Sequence, residues 1–181
     1  MQVWQRSKPD DVEDFGWRKI VKKHFILPNG VVFDAVTDTW GHDNAAIVSI
    51  DTNGKVITAK QFRPGPEAIC YEVPGGACDE NEDPADAAIR ELKEETGYES
   101  DNSPIYLGKI LRNAYHNDMA HYYLLTECVP GTAQTEETED IEAEACTMEE
   151  MLTHAAQGLV SDSSALLLAK QYMDKHNVRY S

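Results

Sequence analysis

Basic residues are scarce in this chain. Its 181 residues hold 16 Lys and Arg against 32 Asp and Glu, a formal charge of −16 at pH 7, and the whole stretch from Asn113 to Ala169 has no Lys or Arg. A surface of that sign repels polynucleotides and anionic membrane, so neither is an expected partner. A phosphorylated small molecule would need a cation or a local basic cluster to bind. Cysteine is scarce too: Cys70, Cys78, Cys128 and Cys146 form no CxxC pair and have no HxxxH partner, which excludes zinc-finger and redox-motif readings and leaves reduced thiols as the expected state. Long apolar runs are missing, and the polar start Met1–Arg6 has no signal-peptide core. A cytoplasmic chain is expected. No repeat of fixed period is present, and the length suits one domain, or one domain with an appendage.

What is present reads first as strands. Around residues 18–25 polar and apolar side chains alternate, Pro28-Asn29-Gly30 turns the chain, and Val31-Val32-Phe33 returns it as a hairpin. Ala45 to Ile50 and Lys55 to Phe62 make a second hairpin about Asp51-Thr52-Asn53-Gly54, where Asn-Gly is expected to supply two positive φ angles. Ile69 to Val73, 105–111 and 120–128 read as further strands. A helix is predicted from Asp83 as N-cap and Pro84 as first residue to a stop at Gly97, with Ala85, Ala88, Ile89 and Leu92 as its apolar stripe. Thr147 with Glu150 forms a capping box for a helix ending near Gly158. Asp162 is the expected cap of a last helix whose Leu166, Ala169, Tyr172 and Met173 face inward. The mixture predicts an α/β/α layered domain. The acid run from Glu127 to Glu150 reads, taken alone, as a solvated face or loop.

The helix after Pro84 carries the chemistry. Glu91 and Glu95 are i,i+4 neighbours and Glu94 lies i,i+3 from Glu91, so three carboxylates share the side expected to lie away from the apolar stripe. Their mutual repulsion is partly offset by Arg90 and Lys93 and would be fully offset by a divalent cation. Clustered oxygen donors favour Mg²⁺ or Mn²⁺ over zinc. Just upstream, Val73-Pro74-Gly75-Gly76 is a strand-to-loop turn whose glycines permit close backbone approach to a ligand.

Taken together, Gly76, Glu82 and the run Arg90-Glu91-Leu92-Lys93-Glu94-Glu95-Thr96-Gly97-Tyr98 resemble the complete signature box of the Nudix hydrolases. The resemblance continues through Gln61-Phe62-Arg63 and Tyr71-Glu72-Val73-Pro74-Gly75-Gly76 on one side and Glu136–Ile141 on the other. Those segments are similar to the ADP-ribose and nucleotide-sugar pyrophosphatase branch.

That resemblance implies a Nudix fold, an α/β/α sandwich with a mixed central sheet, over 41–181 with the box at 76–98. It implies N-terminal antiparallel strands over 1–40 that serve as a homodimer contact. By the same similarity Glu91 and Glu95 are the principal metal ligands, Glu94 an auxiliary one, Gly75 lends its carbonyl, Arg90 orients the glutamates and Glu82 is structural. Glu137 is the leading base and Glu139 a possible ligand. Arg63 gains a phosphate-binding role, and Glu72 contacts substrate or pairs with a base. Trp4, Trp17 and Trp40 are candidates for stacking on a nucleobase, or else core or interface residues.

The implied activity is Mg²⁺- or Mn²⁺-dependent hydrolysis of the pyrophosphate bond of an ADP-ribose-, ADP-sugar- or GDP-sugar-type substrate. Hydrolysis of a dinucleoside polyphosphate or another nucleoside diphosphate derivative, and a non-catalytic nucleotide-binding module, stay as alternatives. One segment departs from the branch: Arg112–Met119 replaces its usual Ser-Pro-Gly-like stretch, which widens the substrate beyond ADP-ribose itself.

Overall fold

The computed structural model describes residues 1–133 and 140–181. The chain separates into two compact units, one of residues 1–43 with 110–120 and one of residues 44–109 with 121–181.

In the first unit three antiparallel strands lie in chain order: β1 (Gln5–Asp14), β2 (Lys19–Ile26) and β3 (Val32–Thr39). β2 and β3 pair without a break, as the hairpin reading requires, with Leu27 N donating to Val31 O across the turn. Every residue of β1 is exposed, and its register slips twice between Arg6 and Asp11. A buried imidazole holds it in place: His24 Nδ1 lies 2.6 Å from Asp34 Oδ1 and its Nε2 lies 3.0 Å from Asp11 Oδ2. The departing segment 112–119 joins this unit. Asp38 N donates to Tyr115 O, Asn117 N donates to Asp38 O, and His116 Nδ1 sits 3.2 Å from Asp38 Oδ1. Asp38 is consequently held below the usual carboxylate range: burial raises it, but the Arg18 and His116 contacts outweigh burial.

The second unit is built on β4 (Asn44–Asp51), whose residues 44–50 are all buried, and β5 (Val56–Arg63). They pair near their turn, through Ser49 with Ile57 and Ile50 with Val56. The turn differs from expectation. Gly54 alone takes a left-handed φ, +84°, because Asp51 closes the loop by accepting from Asn53 N and Lys55 N on one carboxylate oxygen. β6 (Ala68–Glu72) continues along β5, and the chain then crosses at Pro74 to β7 (Gly75–Ala77), which pairs with the start of β4. That crossover leads directly into α1 (Pro84–Thr96).

β8 (Tyr98–Glu99), β9 (Ile105–Leu111), β10 (Met119–Pro130) and β11 (Ile141–Cys146) complete the sheet, in the order β11-β5-β4-β10-β8, with β6 on β5, β7 on β4 and β9 on β10. α2 (Met148–Ala156) and α3 (Ser163–His176) follow. Ala45 and Ile47 of β4 pack with Ala87, Ala88 and Leu92 of α1 in one apolar cluster. Alternation along the strand turns Ala46, Val48 and Ile50 to the other face of the sheet, and α3 also packs against β4. This mixed sheet flanked by helices is the α/β fold predicted.

Two helix readings need correction. On α1 the buried apolar residues are Ala87, Ala88 and Leu92, while Ile89 is 38% exposed. At α3, Asp162 makes no side-chain cap; its Oδ1 accepts from the Tyr122 hydroxyl at 2.8 Å instead. The four cysteines are buried free thiols, as expected, and burial pushes Cys128 up to about 12. No described helix is long and apolar enough to cross a membrane.

Candidate active site

α1 starts and stops where the sequence places it. Asp83 Oδ1 accepts from Ala85 N at 2.8 Å, Pro84 sets the first helical φ, and Gly97 ends the helix in the left-handed region at φ +73°. This fixes the phase of Arg90, Glu91, Glu94 and Glu95 relative to β7.

Neither glycine before the helix has room for a side chain as the site stands. A methyl group built on Gly75 would lie 2.6 Å from Ala45 O and from Ala46 Cβ, and one built on Gly76 would lie 2.2 Å from Glu91 Oε1. The Glu91 carboxylate is therefore seated against the bare α-carbon of Gly76. Gly75 N donates to Glu95 Oε2 at 3.1 Å. Ile47 N donates to Pro74 O, so Gly75, opposite Ala46, occupies the non-hydrogen-bonded position of the ladder and turns its N–H and carbonyl away from β4.

Arg90 ties the acids together. Its Nε and Nη2 fork onto the two oxygens of Glu82 at 3.0 and 3.1 Å, and Nη2 also donates to Ala77 O. Its Nη1 donates to Glu91 Oε1 at 2.8 Å and to Glu94 Oε2 at 2.9 Å. These carboxylates, Glu82 above all, raise the guanidinium well above its usual value. In return the Arg90 bonds, with a further one from Asp79 N, hold Glu82 below the usual range.

One expectation about this face fails. The glutamates do not all point to solvent: the Glu94 side chain is 41% exposed, but that of Glu91 is 14% exposed and Glu95 is buried. Position 95 follows Leu92 by three residues, a rotation of roughly 300° at 3.6 residues per turn, so it borders the apolar stripe instead of opposing it.

Arg63 and Glu72 are also brought together. Glu72, almost fully buried, receives Arg63 Nε at 2.6 Å, Arg63 Nη2 at 2.5 Å and Gln61 Nε2 at 3.3 Å, all on Oε2. Of the two sequence alternatives for Glu72, pairing with a base is the one seen here. Sequence reasoning did not single out Gln61 as a partner of Glu72, although its register opposite Cys70 on β6 sets it one step from Arg63. Glu137 and Glu139 lie outside the described residues. Trp4 packs edge-on against Phe25 and Phe33, Trp40 lies under the Arg112 guanidinium, and Trp17 is 70% exposed.

The α1 donors are carboxylate oxygens seated against glycines, a set suited to a hard divalent cation. In the present arrangement no three His, Cys, Asp or Glu side chains among the described residues converge as a metal cage, and Arg90 bridges Glu91 and Glu94.

Known proteins resemble this chain. The chain is 30% identical to the ADP-ribose pyrophosphatase of Bacillus subtilis over 129 residues, 70% of this chain and 69% of that one. It is 27% identical to the methanol dehydrogenase activator of Bacillus methanolicus over 150 residues, 81% and 80% of the two chains. A crystal structure of an ADP compounds hydrolase superposes with a TM-score of 0.82 over 97% of each chain, at 18% identity, a likeness of fold. Residues 40–175 match the NUDIX domain, a span that takes in the capped helix, its glycines and the Arg90-centred acids, and the chain belongs to that family.

Proposed function

We propose that this Nudix pyrophosphohydrolase cleaves the pyrophosphate bond of a nucleoside diphosphate sugar of ADP-ribose, ADP-sugar or GDP-sugar type, with Mg²⁺ or Mn²⁺, to a nucleoside monophosphate and a sugar phosphate. The observation that carries the reading is the seating of Glu91 against Gly76 and of Glu95 on Gly75 N, which presents carboxylates on a rigid helix beside a strand crossover. The resemblance to an ADP-ribose pyrophosphatase supports the substrate class.

Glu91, Glu94, Glu95 and the Gly75 carbonyl would hold the divalent cation. A cation there supplies positive charge against the bridging phosphates and lowers the pKa of water. Arg63, fixed by Glu72, offers its exposed edge to a phosphate oxygen. Glu137, with Glu139 as the second candidate, takes the proton of the attacking water. Trp17, the most exposed of the three tryptophans, is the leading candidate to stack on a base. Residues 1–40 form a contact between two copies of the chain, an assignment supported by the exposed Val12, Val32, Phe33 and Val36 of their sheet.

Incubation with Mg²⁺ or Mn²⁺ and a panel of ADP-ribose, other ADP-sugars, GDP-mannose and dinucleoside polyphosphates, with product identification, tests this. Release of nucleoside monophosphate from a nucleotide sugar, abolished by excess EDTA, is the expected result. Turnover that survives EDTA, or that is confined to dinucleoside polyphosphates, would overturn it.

A further inference from the structure

The five hydrogen bonds of Arg90 divide by direction. Nε and Nη2 go to Glu82 and Ala77 O, whereas Nη1 goes to Glu91 and Glu94. Glu82 is additionally fixed by Asp79 N at 2.9 Å and its side chain is 17% exposed, so the fork on it is an anchor. The Nη1 half is different, because it spends its hydrogens on two carboxylates assigned above to a divalent cation. An oxygen 2.8–2.9 Å from a guanidinium nitrogen offers that lone pair to nothing else, and the guanidinium charge repels a cation approaching the same oxygen.

We propose that Arg90 is an internal counter-ion that competes with the divalent cation for Glu94 and Glu91, so that loading the site releases Nη1 while the Nε–Nη2 fork stays on Glu82. This rests on the metal assignment made above. Glu94 is the carboxylate that lets go, since it is the more exposed of the two, whereas Glu91 is confined against Gly76. The consequence is regulatory. Without metal, Arg90 offsets part of the repulsion between Glu91 and Glu94 from within. In exchange the site fills only at higher cation concentration, so occupancy follows the free divalent level instead of saturating at once. Orientation alone would make Arg90 assist metal binding; competition gives the opposite sign.

Mn²⁺ binding to the full chain without substrate, followed by the electron paramagnetic resonance of free Mn²⁺, separates the two. For Arg90→Gln, competition predicts about tenfold tighter Mn²⁺ binding than wild type, or ~1.4 kcal/mol, and a larger Mn²⁺-induced rise in melting temperature. A folded variant that binds Mn²⁺ equally or more weakly would overturn the proposal. No binding of Mn²⁺ by the wild type would overturn the metal assignment itself and the proposal with it. If Arg90→Gln does not fold, the wild type gives the answer through its arginine side-chain ¹⁵N resonances during Mg²⁺ titration. The Nη signals of Arg90 should move while its Nε–H stays; an Arg90 fork unchanged at saturating Mg²⁺ would refute the exchange.

Discussion

Two adjacent glycines of the site answer the same substitution differently. At Gly76 an added methyl meets the flexible end of Glu91, with Oε1 at 2.2 Å and Cδ at 2.5 Å, so the side chain swings away and the strand stays. Displacing a reacting-site group by about 1 Å costs up to ~10²-fold in rate. Gly76→Ala should therefore lower kcat/KM by roughly that factor with an unchanged urea midpoint. At Gly75 the methyl meets the β4 backbone, which cannot move aside, and Gly75→Ala should lose about 1–3 kcal/mol of stability in the same urea titration. Equal midpoints for the two variants would show that at least one of the glycines is not held as described. The grouping of Arg90, Glu91, Glu94 and Glu95 was legible at this scale, because their spacing is a property of one helix. The burial of Glu95 was missed although its place after Leu92 carries it, and its bond from Gly75 N depends on β7 lying against that helix. The Arg63–Glu72 pair was not legible, since it depends on how β6 registers with β5.

Elements were legible where their signals are local. Asp83, Pro84 and Gly97 bound α1, and Thr147 with Glu150 bounds α2 with both reciprocal bonds of the capping box in place. β11 was hidden because Glu142 and Glu144 make it read as an acid loop. It is a strand because β5 pairs with it from Gln61 to Val56, and Lys60 Nζ sits 3.3 Å from both glutamates. β1, with Pro9 and four acids, carries no strand signal of its own and is held by β2 and the His24 contacts. The turn at Gly54 is tied to a distant element as well. Ser181 N donates to Gly54 O, Met148 N donates to Ser181 O, and a methyl on Gly54 would lie 3.0 Å from Tyr180 Cα. Gly54→Ala thus combines a left-handed φ of +84° with a clash against the C-terminal residues. The expected loss is about 1–2 kcal/mol from the backbone alone, and amide exchange should quicken at Ser181 and Met148. Unchanged exchange at both would mean that residues 180–181 do not fasten this turn.

Charge is distributed unevenly over the molecule, and this bears on how two copies can meet. Residues 1–40 hold six Lys and Arg against six Asp and Glu, so the formal −16 of the chain resides entirely in 41–181. Many of the N-terminal charges are locally matched: Arg6 with Asp10, Lys19 with Asp14, Lys22 with Asp34, Arg18 with Asp38. Exposed pairs of this kind contribute little to stability, but they leave a neutral sheet bearing Val12, Val32, Phe33 and Val36 at the surface. Apolar contact across such a sheet is insensitive to salt, whereas repulsion between two bodies of high like charge is screened within a Debye length of about 10 Å at 0.1 M and 3 Å at 1 M. Association through residues 1–40 should therefore tighten as NaCl rises, the reverse of an interface held by ion pairs. Sedimentation equilibrium from 0.02 to 0.5 M NaCl reads the sign directly. A dimer that strengthens with salt, and that Val32→Lys with Val36→Lys converts to monomer, is the expected outcome. Dissociation on adding salt, or a chain monomeric throughout, would remove residues 1–40 as the contact.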